Sequence, residues 1–313
     1  MKRAVITGCT GMLGLALIRK LLSEEYEVVS VVRPDSLRSG NIPEDDRITK
    51  VELPLEDIDK LPEVLGLLDI SEADMFFHFA WGGTSGAARN DMDLQNKNIE
   101  ASLKAVDAAH KLGCKVFLGA GSQAEYGRVP EGTKLGGNTP CNPENGYGIA
   151  KYAAGKMTRI KAQSLGMKHV WVRILSTYGE FDGAHTMVMS LIRDFHEGRR
   201  ASCTKGEQMW DYLYCDDAAE AFFLAATKGV DGKVYPVGSG KVRPLASYIK
   251  DIRDVVAPSL DIGFGEVDYY PGQVMYLCAD LSELTNDTGF EPRTDFKAGV
   301  EKTYTWYKEK ERS

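Results

Sequence analysis

The sequence has no long hydrophobic run: no stretch approaches the roughly 18 apolar residues that a membrane-spanning helix needs. The first residues reach a glycine turn before a signal-peptide core could form. An excess of positive charge is also missing, because the formal net charge is −7 and the basic residues are scattered. These absences exclude a nucleic-acid-binding surface, and we expect no membrane partner and a cytoplasmic location.

Metal-ligand spacing is missing as well. The six cysteines stand far apart, with no pair at the close spacing of zinc sites or redox motifs. The five histidines show no metal-ligand spacing either. We therefore expect no bound metal, and reduced thiols that fill space in the core.

Up to residue 175, short apolar runs alternate with longer helical stretches. This alternation is typical of βαβ units, and it predicts an α/β fold: a Rossmann-type, doubly wound parallel sheet with helices on both faces. The predicted strands are 4–7, 27–32, 48–53, 75–79, 115–119 and 169–174. The predicted helices are 13–23, 98–112 and 149–162.

Beyond residue 175 the alternation loosens, and glycine and proline interrupt the chain at 178–183, 229–240 and 268–272. We assign residues 1–175 to the main domain. Residues 212–240 are expected to return to it, because 234–237 has the composition of a late strand. The remaining segments, 176–211 and 241–313, are predicted to form a smaller C-terminal substrate-binding region.

A glycine turn follows the first predicted strand and opens the first predicted helix. Glycines at these positions let the chain turn sharply, let backbone N–H groups approach a pyrophosphate, and let the helix pack closely on the sheet. The N-terminus of that helix carries partial positive charge toward the anion. The main domain is therefore predicted to bind a dinucleotide, held by Gly8, Thr10, Gly11, Met12, Leu13 and Gly14.

The end of the second predicted strand distinguishes the two nicotinamide cofactors. An acidic residue there binds the adenosine ribose of NAD, whereas an arginine accommodates the 2′-phosphate of NADP. Arg33 follows Val32, and Arg38 lies in the same loop. Asp35, an acid in this loop, is also suited to turning the chain after Pro34. We expect NADP, with NAD as the less favoured alternative.

Tyr147 and Lys151 place a phenol and an ammonium four residues apart, and hence on one face of a helix. Such a pair suits proton transfer at a carbonyl, because a nearby cation lowers the tyrosine pKa from its usual value of about 10. Lys151 is also suited to hold the nicotinamide ribose. Ser122 follows a predicted strand, at the edge where parallel sheets bind ligands, and is placed to hydrogen-bond a substrate oxygen. When Tyr147 and Lys151 are considered without Ser122, the alternative is that they are exposed residues on the surface of a helix.

Together and in this order, these residues resemble the extended short-chain dehydrogenase/reductase family, in particular its nucleotide-sugar epimerases, dehydratases and 4-ketoreductases. The resemblance covers nearly the whole chain: the cofactor turn at 7–14, the fourth-strand motif at 78–81, the serine segment at 121–127, the tyrosine-lysine pair and the late-strand motif at 210–217. It implies that Asn98 is the family's structural asparagine and orders a proton path beside the catalytic residues Ser122, Tyr147 and Lys151. It also implies further cofactor contacts from Leu53, Phe79, Ala80 and Trp81.

Departures from the family pattern narrow the chemistry. Sugar 4,6-dehydratases of the family carry an Asp-Glu pair directly after the hydroxyl residue, where this chain has Gln123-Ala124, so dehydration lacks its usual acid and base. An arginine that commonly touches the nucleotide diphosphate is replaced by Trp210, and an asparagine near a strand end by Ser176. The residues expected at the substrate are Trp81, Gln123, Ser176, Lys205 and Arg243. A solvated surface position is the alternative for Lys205 and for Arg243.

The leading hypothesis is an NADP-dependent oxidoreductase that reduces the 4-keto group of a nucleotide-linked 4-keto-6-deoxysugar, with Tyr147 as general acid. The alternative within the family is a nucleotide-sugar 4-epimerase that uses the same residues with tightly bound NAD(P). A hypothesis of a different class is a non-catalytic NADP-sensing or scaffold protein. The resemblance also implies a homodimer.

Overall fold

A computed structural model describes residues 2–270 and 272–312 of the chain. Its strands are β1 (Arg3–Thr7), β2 (Glu27–Val32), β3 (Ile48–Glu52), β4 (Met75–His78), β5 (Val116–Ser122), β6 (Lys168–Ile174), β7 (Ser176–Tyr178), β8 (Ala201–Cys203), β9 (Met209–Trp210), β10 (Tyr212–Tyr214), β11 (Val234–Val237), β12 (Arg243–Pro244) and β13 (Ile262–Phe264). Its helices are α1 (Met12–Ser23), α2 (Leu61–Gly66), α3 (Met92–Lys111), α4 (Gly146–Ser164), α5 (Met187–His196), α6 (Cys215–Thr227), α7 (Leu245–Val256), α8 (Ser282–Thr288) and α9 (Phe296–Arg312).

The centre of the fold is a seven-stranded parallel sheet with the strand order β11-β6-β5-β4-β1-β2-β3. Side chains of its strands alternate between two apolar layers. In β1, Ala4 and Ile6 join the layer that contains α1 and α6, whereas Val5 joins the layer that contains α2, α3 and α4. Because helices cover both faces, the α/β fold with a doubly wound parallel sheet is confirmed, and the carboxyl edge of the sheet is left for ligands.

Strand β5 extends to Ser122, beyond the end that we predicted at Gly119. The shorter prediction is wrong because Gly119 and Gly121 are strand residues whose missing side chains make room for Trp171 of β6. A Cβ added at either glycine would overlap the Trp171 indole. Ser122 is therefore the last residue of a buried strand, which fixes its backbone.

Two helices begin earlier than the apolar periodicity predicts, because polar residues cap them. The Asp91 side chain accepts from Leu94 N at 3.1 Å, so α3 begins at Met92 rather than at residue 98. The Asn145 side chain accepts from Gly148 N at 2.9 Å, so α4 begins before Tyr147. No helix in the described part of the chain is long and apolar enough to cross a membrane.

Beyond residue 175 the chain forms small two-stranded sheets and helices α5 to α9, which we did not predict. β7 pairs with β10, β8 with β13 and β9 with β12. Strand β11 joins the edge of the central sheet beside β6, where a late strand was expected, whereas β10 lies outside that sheet. Helix α6 packs along α1, and Lys20 of α1 forms an ion pair with Glu220 of α6 at 2.5 Å.

Candidate active site

The glycine turn between β1 and α1 is shaped to receive a pyrophosphate. Gly8 has a φ of 74° and lies against Phe79 and Ala80, whose backbone a side chain would overlap. At Gly11 the nearest atom to an added Cβ is Gly8 O, 3.7 Å away, so the space beside it is open. Gly11 is also the N-cap of α1, which has no side-chain cap and no acidic residue in its first turn. The first N–H groups of α1 can therefore bind an anion, and the turn fits a dinucleotide, with Thr10, Met12 and Leu13 half-buried on it.

The loop after β2 carries the two arginines expected at the cofactor. Arg33 directly follows β2, and both Arg33 and Arg38 are exposed. Neither guanidinium has an ion pair or hydrogen bond to another described residue. Asp35 has a φ of 56°, a turn conformation that aspartate tolerates better than most residues. The loop therefore presents unpaired positive charge, while Leu53, another expected cofactor contact, is buried just after β3.

Tyr147 and Lys151 lie in the first turns of α4 and are buried, with 8% and 3% of their surface exposed. Lys151 Nζ donates a hydrogen bond to Ala120 O of β5 at 2.6 Å. It lies 5.9 Å from the centroid of the Tyr147 ring. Burial lowers the pKa of the Lys151 ammonium to about 7, because the charged form loses its hydration. The buried ammonium therefore releases its proton more readily than that of an exposed lysine.

Ser122 stands beside Tyr147 at the carboxyl end of β5. Burial raises the pKa of the Tyr147 phenol, although a hydrogen bond with Ser122 and the charge of Arg89 oppose that rise. The Ser122 backbone N–H donates to Glu125 Oε1 at 2.9 Å, and its Oγ accepts from Ala124 N at 3.2 Å. The serine and tyrosine hydroxyls thus lie together at the ligand-binding edge of the sheet, an arrangement that can hold the oxygen of a carbonyl.

A glycine-rich loop after β4, residues 81–91, covers Tyr147. The Trp81 ring lies edge-on to the Tyr147 ring with 6.2 Å between centroids, and its own centroid is 3.8 Å from Lys151 Nζ. From the other end of the loop, the guanidinium carbon of Arg89 lies 4.5 Å from the centroid of the Tyr147 ring. The Tyr147 phenol is therefore enclosed by an indole and a guanidinium of the same loop.

Side chains of α3 hold the glycine-rich loop. Gln95 Oε1 accepts from Trp81 Nε1 at 2.9 Å, and its Nε2 donates to Gly83 O at 3.1 Å. Asn98 Oδ1 accepts from Gly82 N at 2.8 Å, and its Nδ2 donates to Gly82 O at 2.9 Å. Both polar groups of Asn98 are thus engaged by the loop backbone, which is a structural role. The proton path expected of Asn98 stays a prediction.

The carboxylate closest in sequence to Ser122 is committed to a buried ion pair. Glu125 and Arg173 are 1% and 3% exposed, and Arg173 Nε donates to Glu125 Oε2 at 2.7 Å. Trp171 Nε1 donates to Glu125 Oε1 at 2.9 Å. Since Ser122 N also donates to Oε1, this carboxylate is saturated by donors and turned toward the core. Gln123 and Ala124 fill the two positions between them, so segment 122–126, described in full, offers no free carboxyl group.

The residues expected at the substrate are only partly brought together. Ser176 Oγ accepts from Trp210 Nε1 at 2.8 Å. Arg243 donates to Asp251 at 2.5 Å, and Lys205 is exposed. Within the described residues, no hydrogen bond or ion pair links Lys205 or Arg243 to the serine and tyrosine. Their roles at the substrate, and that of Gln123, stay predictions.

We missed from the sequence five residues that contact or support the candidate site: Arg89, Gln95, Glu125, Trp171 and Arg173. The signal for Arg89 was the run of glycines at 82, 83 and 86, which marks a loop that continues to residue 91. The signal for Trp171 was the set of glycines beneath it, since a Cβ at Gly155 of α4 would also overlap its ring.

Two features of the site define the class of protein. Ser122, Tyr147 and Lys151 lie at the carboxyl edge of a parallel sheet, and the turn between the first strand and the first helix of that sheet fits a dinucleotide. This arrangement defines an enzyme of the short-chain dehydrogenase/reductase type. The sequence model of the NAD-dependent epimerase/dehydratase family matches residues 4–238. The chain belongs to this family, which confirms the resemblance drawn from its motifs.

Known relatives match the chain over nearly its whole length. dTDP-glucose 4,6-dehydratase of Escherichia coli is 22% identical over 97% of this chain and 93% of its own length. The structure of UDP-glucose 4-epimerase from Thermotoga maritima, solved with UDP-glucose, superposes with a TM-score of 0.87 at 22% identity, covering 98% of this chain and 99% of the other. UDP-N-acetylglucosamine 4-epimerase from Methanobrevibacter ruminantium, solved with UDP-N-acetylmuramic acid, gives a TM-score of 0.87 at 23% identity, covering 99% of both chains. At these identities the superpositions show a shared fold.

Proposed function

We propose that this enzyme uses NADPH to reduce the 4-keto group of a nucleotide-linked 4-keto-6-deoxysugar. The glycine turn and the N-terminus of α1 would hold the cofactor pyrophosphate, and Lys151 would hold its nicotinamide ribose. When bound, the reduced nicotinamide supplies the hydride that the carbonyl carbon takes up. Ser122 orients the carbonyl oxygen, and Tyr147 gives that oxygen its phenol proton, which is afterwards restored from solvent.

The surroundings of Ser122 argue against dehydration. A dehydratase needs an acid and a base beyond the hydroxyl residue, and here Gln123 and Ala124 occupy those positions. Glu125, the next residue, cannot take over because Arg173 and Trp171 bind its carboxylate in the core. The proton chemistry left to the site is that of the serine and tyrosine hydroxyls.

The observation that favours reduction over epimerisation is the free guanidinium of Arg33, which directly follows β2. It stands where an acidic residue would bind the ribose of NAD, and with Arg38 it suits a 2′-phosphate. A reductase consumes its cofactor and draws on the reduced NADP pool, whereas an epimerase regenerates its cofactor in each cycle. The relatives solved with UDP-sugars are 4-epimerases, so epimerisation is the competing activity that the test must include.

The homodimer is a further part of the proposal. The outer face of α4 exposes apolar side chains at helical spacing, with Ile149, Met157 and Ile160 exposed to 53%, 44% and 69%. A symmetric interface would cover such a face. Sedimentation should show a dimer that Ile160→Glu dissociates, and a monomeric wild-type protein would contradict this part of the proposal.

The test of the proposed reaction is an assay with dTDP- and UDP-linked 4-keto-6-deoxysugars, in which cofactor absorbance and product are both followed. We expect NADPH to be oxidised in step with alcohol formation, and Tyr147→Phe to lower the rate by at least about 100-fold. Tyr152→Phe, the same change one residue past Lys151, is the matched control and should stay near wild type. Interconversion of C4 epimers without cofactor oxidation would refute reduction, and undiminished turnover in Tyr147→Phe would refute the mechanism.

A further inference from the structure

One buried amide of α3 ties the two ends of the glycine-rich loop together. Gln95 is 2% exposed. Its Nε2 donates to Gly83 O at 3.1 Å and to Ala88 O at 3.0 Å. Its Oε1 accepts from Trp81 Nε1 at 2.9 Å. The amino group and the carbonyl oxygen of this side chain are thus both engaged by a single loop.

The backbone that carries the Trp81 indole is fixed against α3. Gly83 has a φ of 70°, and a Cβ there would lie within 3.0 Å of atoms of the loop and of α3. Asn98 of α3 binds both the N–H and the C=O of Gly82. The Trp81 side chain keeps two torsion angles of its own, and its hydrogen bond to Gln95 restrains them.

The indole that Gln95 holds lies on the Lys151 ammonium. Lys151 Nζ is 3.8 Å from the centroid of the Trp81 ring, which places the cation in contact with the ring face. An ammonium has three N–H groups. Ala120 O accepts from one of them at 2.6 Å, and the indole covers another side of the group. An N–H of Lys151 then remains for a ligand, and these two contacts restrict its direction.

We propose that Gln95 is a positioning residue of this enzyme, which holds Trp81 on the Lys151 ammonium and so orients Lys151 for the nicotinamide ribose. The inference rests on the proposed function, in which Lys151 holds that ribose. The cofactor then meets a lysine whose rotation is already restricted, so less conformational freedom is lost when it binds. Gln95 acts through the indole, and the roles of Tyr147 and Lys151 in the reaction are unchanged.

The test is a double-mutant cycle on cofactor binding, measured by titration calorimetry with NADPH and with NADH and with no sugar present. Gln95→Met keeps the length of the side chain without its amide, and Trp81→Phe keeps an aromatic ring without the N–H, so each removes the same hydrogen bond. We expect each to raise Kd by about 5- to 10-fold, the contribution of one neutral hydrogen bond. The double variant should bind no more than about twofold more weakly than either single variant.

The matched control is Gln163→Met, which changes an exposed glutamine near the end of α4 and should leave Kd at the wild-type value. A double variant whose Kd rises by the product of the two single factors would overturn the proposal. An unchanged Kd in Gln95→Met would overturn it as well. If Gln95→Met does not fold, Trp81→Phe decides alone, and a wild-type Kd in that variant counts against the proposal.

A spectroscopic measurement on the cofactor-free protein tests the hydrogen bond itself. The nitrogen-15 resonance of the Trp81 indole can be assigned by its loss in Trp81→Phe. Its N–H should exchange with deuterium at least about tenfold faster in Gln95→Met than in wild type, because its acceptor has been removed. Equal exchange rates in the two proteins would contradict the contact on which the proposal depends.

These outcomes separate the inference from the proposed reaction, because neither measurement involves a sugar. If the cycle is non-additive while no keto sugar is reduced, the proposed reaction fails and the role of Gln95 stands. If keto sugar is reduced but the cycle is additive, the role of Gln95 fails and the proposed reaction stands.

Discussion

The Trp210 indole N–H donates a hydrogen bond to Ser176 Oγ at 2.8 Å, so two positions at which this chain departs from its family are bonded to each other. The family pattern has an arginine and an asparagine at these places. Here the exchange removes a cation from β9 and replaces it with a neutral pair that links β9 to β7. In the proposed reaction, the diphosphate of the substrate must therefore be bound by groups other than residue 210.

We predict that the two residues are energetically coupled. Trp210→Phe and Ser176→Ala should each lower the free energy of unfolding, and the double variant should cost less than their sum by about 1 kcal/mol. Urea unfolding of the four proteins measures this coupling. Trp210→Phe combined with Ser190→Ala of α5 is the control pair and should be additive. Additivity of the bonded pair would show that the hydrogen bond contributes nothing.

Arg33 should set the choice of cofactor. In Arg33→Asp we expect the ratio of kcat/KM for NADPH over NADH to fall by roughly 10- to 100-fold, because a charge-assisted contact to the 2′-phosphate becomes a repulsion. Arg33→Lys should lie between this variant and wild type, since it keeps the charge without the planar fork. Initial rates with both cofactors give the ratio. An unchanged ratio in Arg33→Asp would contradict the NADP assignment.

Breaking the buried ion pair should be costly. Glu125→Gln leaves the Arg173 guanidinium buried without a counter-charge, and we expect the free energy of unfolding to fall by about 3 kcal/mol. Glu144→Gln is the matched control, because Glu144 pairs with Arg128 at the surface and should contribute less than about 1 kcal/mol. Urea unfolding of both variants makes the comparison. Equal losses would mean that the pair beneath Ser122 is not a structural support.

The burial of Lys151 should give the protein a characteristic pH dependence. Its folded pKa of about 7 lies below the unfolded value of 10.5, so between these values the unfolded chain holds a proton that the folded chain has released. Stability should therefore rise with pH across this window, by up to about 1.4 kcal/mol per pH unit. The free energy of unfolding of Lys151→Met should lack this rise, whereas Lys97→Met, which changes an exposed lysine, should keep it. Parallel stability curves for wild type and Lys151→Met from pH 7 to about 9 would refute the buried amine.

Much of the fold was predictable because the central strands are buried on both faces. The run Val28 to Val32 in β2 is buried throughout and consists of valines apart from Ser30, and that composition is visible without any partner. The glycine turn was equally visible, since only glycine fits where Gly8 meets the backbone of Phe79. The helical spacing of Val188, Leu191, Ile192 and Phe195, all buried in α5, was also present, and we overlooked it.

The surroundings of the site were not predictable in the same way. Ser122, Tyr147 and Lys151 could be singled out because their spacing and order match a pattern that suits proton transfer at a carbonyl. Arg89 and Glu125 have no such pattern, because their roles depend on which loop crosses α4 and which side of β5 faces the core. The course of the loop and the orientation of β5 are properties of the tertiary structure. They are set by the packing of Trp171 and by the hydrogen bonds that hold the glycine-rich loop.

The most direct test of the central claim is the transfer of deuterium from NADPH that carries deuterium in both hydrogen positions of the reactive nicotinamide carbon. With a nucleotide-linked 4-keto-6-deoxysugar as substrate, we predict one deuterium at C4 of the product alcohol for each cofactor oxidised, read by mass spectrometry and NMR. Lys97→Gln should transfer the label at the wild-type rate, and Tyr147→Phe should transfer it at least about 100-fold more slowly. A product without label, or C4 epimers formed with the cofactor unchanged, would contradict the assignment of this enzyme as a reductase.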